Sequence, residues 1–242
     1  MFQATRGIVF RQTRYSDTSL VARILTEESG LRSYIVKGAH RPKARIRASI
    51  FQPLTLLDMV VSHKEKADLQ HIREVRIAYP FQTIPADIRK TSILLFLNEL
   101  FYKSIQEEAS NQELFRFIYD NLILLDRTEE NPANFHISMA LHLSHFLGFF
   151  PQGHYSGFHT VFDLTEGTFT ESEPLPAENF ISGEVCSWFA KFLTVPVERS
   201  YVPEVSAVIR SELLEKILRY YHLHLPLTGV FKSHKVLHEV LR

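Results

Sequence analysis

The sequence is poor in the residue types and motifs on which most catalytic and metal sites depend. Its 242 residues include one cysteine, Cys186, which excludes an intramolecular disulfide and any cysteine-rich zinc module. Cys186 lies in the apolar helical pattern 181–192, so we expect a buried thiol without a catalytic role. Glycine-rich phosphate loops, dinucleotide-binding glycine patterns, His-Glu-x-x-His and Gly-x-Ser-x-Gly are also missing. These absences weaken every enzyme hypothesis, and we expect neither catalysis nor a cofactor.

Long hydrophobic runs are missing as well. The longest apolar run, Ile93–Leu97, is far too short to span a bilayer. Only four apolar or small residues separate Arg6 from Arg11, which is too short for the apolar region of a signal peptide. We therefore expect a cytoplasmic protein with no membrane partner.

Acidic residues are absent between Glu28 and Asp58. Six cations fall in that window: Arg32, Lys37, Arg41, Lys43, Arg45 and Arg47. Basic residues in a surface loop are usually interleaved with acidic ones that limit self-repulsion, and none is supplied here. The alternative is a solvated surface loop without a ligand. The pattern favours a polyanion as the partner of this segment.

Basic and acidic residues are unevenly distributed along the chain, although their totals are equal, at 27 each. Residues 1–80 hold 14 Lys and Arg against 7 Asp and Glu, which leaves 13 basic and 20 acidic residues for 81–242. An asymmetry of this kind predicts two domains with different partners, the basic one meeting nucleic acid or an acidic surface.

Short segments rich in Val, Ile, Leu, Phe, Tyr and Thr fill the first domain, residues 1–80. The pattern predicts five strands, at 4–14, 18–26, 31–37, 50–62 and 68–79. A small closed barrel accommodates five short strands better than an open sheet, which would leave strand edges exposed.

The apolar period changes after Tyr79-Pro80, and the domain 81–242 is predicted to be mainly helical. Ile88, Leu95 and Tyr102 recur at sevens in its first helix. The predicted helices cover 86–107, 114–125, 133–148, 178–193, 204–223 and 232–241. An irregular insert at 149–176 interrupts them, with a hairpin turn at Glu166-Gly167. The fold class is therefore α+β.

Four histidines form the strongest metal candidate. His142 and His145 share a helix face, and His154 and His159 from the following segment could complete a tetrahedral zinc shell. The alternative is packing, because the same helix carries an apolar stripe formed by Phe135, Met139, Leu143 and Phe146. We favour packing and expect no metal.

Several segments resemble one bacterial family in order and spacing. They are Thr5–Arg11, Tyr15–Val21, Lys37–Arg45, Phe51–Leu54 and the closing Leu227–Leu237. Together they resemble the recombination mediator RecO, at both ends of the chain. The middle of the chain is less specific.

The resemblance implies an N-terminal OB-fold barrel followed by a helical domain. It implies a DNA repair protein without catalytic activity that binds single- and double-stranded DNA and anneals complementary strands. The implied protein partners are the acidic C-terminal tail of the single-stranded DNA-binding protein (SSB) and RecR, with which the family loads recombinase onto SSB-coated DNA. We expect a cytoplasmic monomer that associates with the nucleoid during repair.

The site residues follow from matching positions. Lys37, Arg41, Lys43 and Arg45 match the basic motif of the family, Arg47 extends it, and Arg32 lies in the same acid-free window. Lys232 and Lys235 match basic positions of the closing segment, where the alternative is a solvated helix face. Tyr34 and Phe51 are the aromatics of the window and the candidates for base stacking, with Phe10 and Tyr15 outside it. We expect backbone binding to exceed base readout.

One departure from the family is clear. Many members carry two Cys-x-x-Cys pairs after the helix that ends near Gly148, and this chain has none there. We expect a metal-free remnant of that zinc finger, held by Phe149, Phe150, Tyr155, Phe158, Phe162 and Phe169.

Two other classes of function compete with a DNA mediator. One is a protein-interaction adaptor whose basic loop docks an acidic protein surface. The other is a histidine-dependent hydrolase or nuclease, which ranks third because the sequence offers no convincing acid or metal constellation. Sequence alone assigns no residues to the SSB-tail or RecR surfaces.

Overall fold

The computed structural model describes residues 2–42, 44–62, 67–106, 109–201 and 204–242. The chain forms two compact units. The first comprises Met1–Gln82 and Ile105–Ile123, and the second comprises Thr83–Ser104 and Leu124–Arg242. The first unit thus contains a helical segment in addition to the predicted barrel residues 1–80.

The first unit is built on a closed five-stranded barrel. Its strands are β1 (Phe2–Arg14), β2 (Leu20–Thr26), β3 (Gly30–Val36), β4 (Leu56–Ser62) and β5 (Leu69–Tyr79). They follow the order β1-β2-β3-β5-β4, and β1 closes the barrel by pairing with β4. The β3–β5 pair is parallel and the other pairs are antiparallel. The predicted OB-fold barrel is confirmed.

The barrel interior is filled by alternate residues of each strand, as the two-residue period of a strand requires. Val9, Ile24 and Leu57 are fully buried there. Gly7 lies on β1 between β2 and β4, and a Cβ atom at this position would approach Met59 Cε to 2.6 Å and Ile24 Cγ2 to 2.8 Å. Glycine therefore lets core side chains pack directly against the β1 backbone.

Helix α2 (Gln112–Arg127) contributes residues of the first unit up to Ile123. The Arg6 guanidinium of β1 lies over the Tyr119 ring at 4.6 Å from its centroid and over the Phe115 ring at 5.4 Å. Arg6 also forms an ion pair with Glu27, with a shortest N···O distance of 2.8 Å. These contacts hold the helix against the barrel.

The second unit is mainly helical, with a small sheet. Its elements are α1 (Ile88–Ser104), the end of α2, α3 (Phe135–Phe146), β6 (Val161–Asp163), β7 (Thr168–Thr170), β8 (Phe180–Ile181), α4 (Gly183–Thr194), α5 (Ala207–His224) and α6 (Ser233–Val240). The predicted hairpin is confirmed as β6–β7. The helix predicted at 178–193 begins later, because Phe180 and Ile181 pair with β6 as strand β8.

The buried face of helix α1 is not the one that the seven-residue apolar repeat predicts. Ile88 is 67% exposed and Leu95 is 50% exposed, whereas Phe96, Leu97 and Leu100 are fully buried. Apolar residues occur on several sides of this helix. The repeat alone therefore did not identify the side that packs against the rest of the unit.

The insert after α3 is held partly by the expected aromatic residues. Phe162 is fully buried against Phe189, with ring centroids 4.5 Å apart, and Phe149 packs on Tyr221 at 5.0 Å. Phe158 is 80% exposed and takes no part in this packing. The core of the insert is therefore smaller than the six-aromatic set expected from sequence.

Cys186 of α4 is fully buried, as predicted. Burial raises the pKa of its thiol to about 11, so the nucleophilic thiolate is scarce at neutral pH. Within the described residues, no helix is both long enough and apolar enough to cross a lipid bilayer.

Candidate nucleic-acid interface

The connection from β3 to β4 begins with a cationic segment, residues 37–47, here called the basic loop. Lys37, Arg41, Arg45 and Arg47 are all exposed in it, and Lys43 lies outside the described residues. Gly38 has a φ of +73°, which glycine adopts without strain. The Arg41 N–H donates to the Gly38 carbonyl at 3.1 Å, closing the turn that begins the loop.

The basic loop is fixed to the barrel from beneath. Ala39 is buried in the barrel core, and Ile46 and Ala48 pack against that core. The Ala48 N–H donates to the Ala39 carbonyl at 3.2 Å, and the His40 N–H donates to the Thr18 carbonyl in the β1–β2 turn at 3.1 Å. From Ala44 to Ala48 partly buried small or apolar residues alternate with the exposed Arg45 and Arg47. This alternation presents the cations to solvent on an anchored backbone.

Few acids balance these cations. Among the residues that the structure describes, Glu74 is the one carboxylate within 4.0 Å of the four exposed side chains, at 3.9 Å from Arg45. Both members of that pair are largely exposed, at 79% and 57%, so water and salt screen it. The loop therefore retains most of its positive charge for a ligand.

Strand register places further arginines near the loop. Arg14 at the end of β1 pairs with Leu20, and Leu20 pairs with Val36, the residue before Lys37. The Arg14 side chain is 69% exposed and forms a 3.4 Å ion pair with the fully exposed Asp17. It also donates hydrogen bonds to the Ser16 and Asp17 carbonyl oxygens, at 3.3 and 3.4 Å. It lies at the same barrel edge as Lys37. A single sequence does not show strand register, so the position of Arg14 beside the loop could not be predicted from it.

Arg11 and Arg23 form a second cationic feature of the barrel. They are directly opposite each other across β1 and β2, just after a bulge in β1. Like charges in opposed positions are unfavourable in a sheet unless another group compensates them. Arg11 is exposed and Arg23 is half-buried, so this face of the two strands carries two cations.

Arg32 is separate from the basic loop. It lies within β3, half-buried, two residues before Tyr34 on the same side of the strand. Burial raises the pKa of the Tyr34 hydroxyl, and the nearby Arg32 charge acts in the opposite direction. Arg32 is thus a partly enclosed strand residue, unlike the exposed cations of the loop.

The prediction that Tyr34 and Phe51 stack on bases is wrong. Both side chains have 0% exposure and lie in the barrel core. Tyr34 occupies an inward position of β3, and Phe51 ends the 3-10 turn Ala48–Phe51 that enters the core. Phe10 is also buried, whereas Tyr15 in the β1–β2 turn is 62% exposed. Tyr15 is the aromatic of the four that a base can reach.

Lys232 and Lys235 belong to the second unit. Lys232 precedes α6 and its backbone N–H donates to the Glu99 carboxylate at 2.9 Å, while its side chain is exposed. Lys235 lies in the first turn of α6 and is also exposed. Their basic positions thus lie on a different unit from the loop.

The four histidines considered for zinc take part in other contacts or are exposed. His142 Nε2 is 2.9 Å from the Val195 carbonyl oxygen and its ring stacks on Phe150. His145 meets the same Phe150 ring edge-on, and His159 Nε2 lies 3.8 Å from a Glu171 carboxylate oxygen. No group of three or more His, Cys, Asp or Glu side chains in the described ranges is arranged to hold a metal ion. Of the four, His142 is partly buried in these contacts, whereas His145, His154 and His159 are exposed.

Two family models match consecutive parts of the chain. The model described as "Recombination protein O N terminal" matches residues 1–81. The model described as "Recombination protein O C terminal" matches residues 85–233. Together they cover both compact units.

Curated relatives agree over the full length. A protein of Bacteroides fragilis named DNA repair protein RecO is 33% identical over 242 residues, covering 99% of each chain. Proteins with the same name from Phocaeicola vulgatus and Flavobacterium psychrophilum are 32% identical over 240 residues and 33% identical over 237, covering 99% and 98% of each chain. On the strength of both family models and these full-length relatives, the chain belongs to the RecO family.

Proposed function

We propose that this chain is a non-catalytic DNA repair protein that binds single- and double-stranded DNA through the basic loop. The observation that carries the proposal is the construction of that loop. Its exposed cations alternate with residues packed on the barrel core, and the one ion pair that they form with another described residue is long and exposed. Because the backbone of the loop is fixed, its cations can bind DNA phosphates with little loss of conformational entropy.

The proposed binding mode is contact with phosphates rather than readout of bases. Arginine and lysine bind phosphate oxygens through charge-assisted hydrogen bonds, which carry no sequence information. Burial of Tyr34 and Phe51 removes two stacking platforms, leaving Tyr15 as the exposed aromatic among the candidates. We therefore expect little preference for base sequence.

We propose that the chain anneals complementary strands and, with RecR, helps load recombinase onto SSB-coated single-stranded DNA. Membership of the RecO family supports this role. The acidic composition of residues 81–242 fits a division of labour in which the barrel unit binds DNA and the helical unit meets proteins. The working location of such a protein is the cytoplasm, at the nucleoid during repair.

The experiment compares two variants with the same change of charge. In the loop variant Lys37, Arg41, Arg45 and Arg47 become Ala. In the control variant four exposed cations of the second unit become Ala, namely Arg89, Lys191, Arg199 and Arg242. Fluorescence anisotropy with a labelled oligonucleotide should show a large loss of affinity for the loop variant and a small one for the control.

Equal losses of oligonucleotide affinity in the two variants would show that binding depends on net charge and not on the basic loop. The loop variant could instead lose binding of an acidic peptide and keep its oligonucleotide binding. That result would favour a protein-interaction adaptor. Annealing of complementary oligonucleotides, measured with the same variants, tests whether the loop contributes beyond simple binding.

A further inference from the structure

The outer wall of the barrel carries two arginines that do not belong to the basic loop. Arg11 of β1 is paired with Arg23 of β2, and Arg23 is paired with Ser33 of β3. Ala22 and Ile24, on either side of Arg23, fill the barrel core. Because side chains alternate along a strand and directly opposed residues share a face, Arg11, Arg23 and Ser33 point outwards. Arg11 and Arg23 are here called the wall pair.

The two positive charges of the wall pair are placed unfavourably. Like charges directly opposite each other destabilise an antiparallel pair of strands. Arg23 is half-buried, and within the described ranges no carboxylate oxygen lies within 4.0 Å of its guanidinium. Asp68 precedes Leu69, the β5 partner of Ser33, and is exposed without an ion pair to Arg23. An anion from outside the chain would supply the missing counter-charge.

The wall pair and the basic loop lie on different surfaces of the first unit. Arg14, beside Lys37 at the end of the barrel, opposes Leu20, whose side chain is buried in the core. Arg14 therefore lies on the core side of β1, whereas Arg11 lies on the outer side. Three residues of a strand separate the two positions by about 10 Å. A DNA strand held by the loop would have to turn round the end of the barrel to reach the wall pair.

The chemistry of the wall pair suits phosphate groups. Cα atoms of directly opposed residues lie about 5 Å apart, so both guanidinium groups can reach one phosphate or two neighbouring ones. The next outward positions on these strands are Thr13, Val21 and Ile35. They offer no ring for base stacking. The wall therefore favours the backbone of a strand and leaves its bases free to pair.

We propose that the wall pair binds the phosphate backbone of a second DNA strand while the basic loop holds the first. This inference rests on the proposed function, because it identifies where the second strand of an annealing reaction binds. Two phosphate contacts make a weak site, with a slope of log affinity against log salt concentration of about 1.4 in magnitude. A weakly held strand can shift along the wall until its bases meet complementary ones on the first strand.

The test counts the short strands that one molecule of the full-length protein binds. The probe is an oligothymidylate of about eight nucleotides, a length within the range that one small barrel covers. Thymine does not pair with itself, so each bound strand reports a site on the protein. Isothermal titration calorimetry at low salt gives the number bound.

The wall variant, Arg11→Gln with Arg23→Gln, should bind one strand fewer than the wild-type protein. Its control is Arg73→Gln with Arg76→Gln, which removes two exposed cations of β5 that already form ion pairs with Glu74 and Asp58. The control should bind the wild-type number of strands. An equal number of strands on the wall variant and the control would overturn the proposal.

Annealing provides a second measurement, followed by energy transfer between labelled complementary oligonucleotides. The wall variant should anneal roughly tenfold more slowly than the control, because the second strand loses its charge-assisted contacts. Its affinity for a single labelled oligonucleotide should stay within about twofold of the wild-type value, since the loop is intact. Annealing as fast as that of the control contradicts the role of the wall pair. Loss of oligonucleotide binding in the loop variant would still support the proposed function.

Folding of the wall variant is not expected to fail, because its substitutions remove a repulsion between opposed charges. Arg23→Gln alone provides a milder variant. Removing one of two contacts should lower the magnitude of the salt slope for the second strand by about 0.7. An unchanged slope in this variant would show that Arg23 does not contact the second strand.

Discussion

Glu27 accepts two hydrogen bonds from the Arg6 guanidinium, Nε to Oε2 and Nη2 to Oε1, each at 2.8 Å. This bidentate pair connects β1 with the residue after β2, and the same guanidinium covers the Tyr119 ring of α2. The hydrogen bonds from Arg6 lower the pKa of the Glu27 carboxyl group. One arginine therefore links two strands of the barrel to the helix in the same unit.

Replacing Glu27 with Gln is expected to destabilise the first unit by about 1–2 kcal/mol, because a partly buried charge-assisted pair is lost. Asp17→Asn provides the control, since Asp17 forms an exposed 3.4 Å pair with Arg14 and should change stability by about 0.5 kcal/mol or less. Hydrogen exchange of the β1 and β2 amides measures the effect in this unit. Similar exchange rates in the two variants would show that the Arg6–Glu27 pair is not a structural link.

The barrel could be predicted from sequence because its strands are short, alternating and separated by turns. It was harder to predict which of the alternating residues face the barrel core. Tyr34 and Phe51 were predicted to be stacking residues at the surface. Tyr34 occupies an inward position that only the paired sheet defines, and Phe51 enters the core at the end of a 3-10 turn. Arg14 was missed for the same reason, since its position beside Lys37 depends on the β1–β2–β3 register.

The helical unit was predictable in its element types and less so in its faces. The bounds of α3, α5 and α6 agree with the predicted segments to within a few residues. Ile88 and Leu95 were part of an apolar repeat that the structure leaves exposed.

A second prediction concerns Gly7. Gly7→Ala should destabilise the barrel by about 1–3 kcal/mol, because the added methyl group overlaps core side chains at a position without room. The displaced groups would be Met59 Cε, 2.6 Å away, and Ile24 Cγ2, 2.8 Å away. Hydrogen exchange of the β4 amides gives the measurement. Gly157→Ala is the matched control, because nothing lies within 4 Å of a Cβ there, and a cost as large as that at Gly7 would contradict the packing account.

A third prediction follows from burial of His136. Burial and the charge of Arg210 lower the pKa of His136 to about 3, whereas an unfolded histidine has a pKa of about 6.5. Below pH of about 6.5 the unfolded state therefore binds a proton that the folded state excludes, and stability falls as pH falls towards 3. From pH 7 to pH 5 this one group should remove about 2 kcal/mol of stability.

Urea unfolding followed by Trp188 fluorescence measures that loss, since the single tryptophan lies in α4 of the same unit as His136. In His136→Gln the difference between pH 7 and pH 5 should shrink by up to about 2 kcal/mol. His154→Gln, which changes an exposed ring, is the control and should keep the wild-type difference. An unchanged difference in His136→Gln would show that this ring is protonated in the folded state.

The salt dependence of oligonucleotide binding tests the phosphate-binding role of the basic loop most directly. Each phosphate contact on single-stranded DNA contributes about 0.7 to the slope of log affinity against log salt concentration. Removing Lys37, Arg41, Arg45 and Arg47 should therefore reduce the magnitude of that slope by about 3, while the control variant at Arg89, Lys191, Arg199 and Arg242 keeps the wild-type slope. A loop variant with wild-type affinity and wild-type slope would contradict the proposal that the basic loop binds the phosphate backbone.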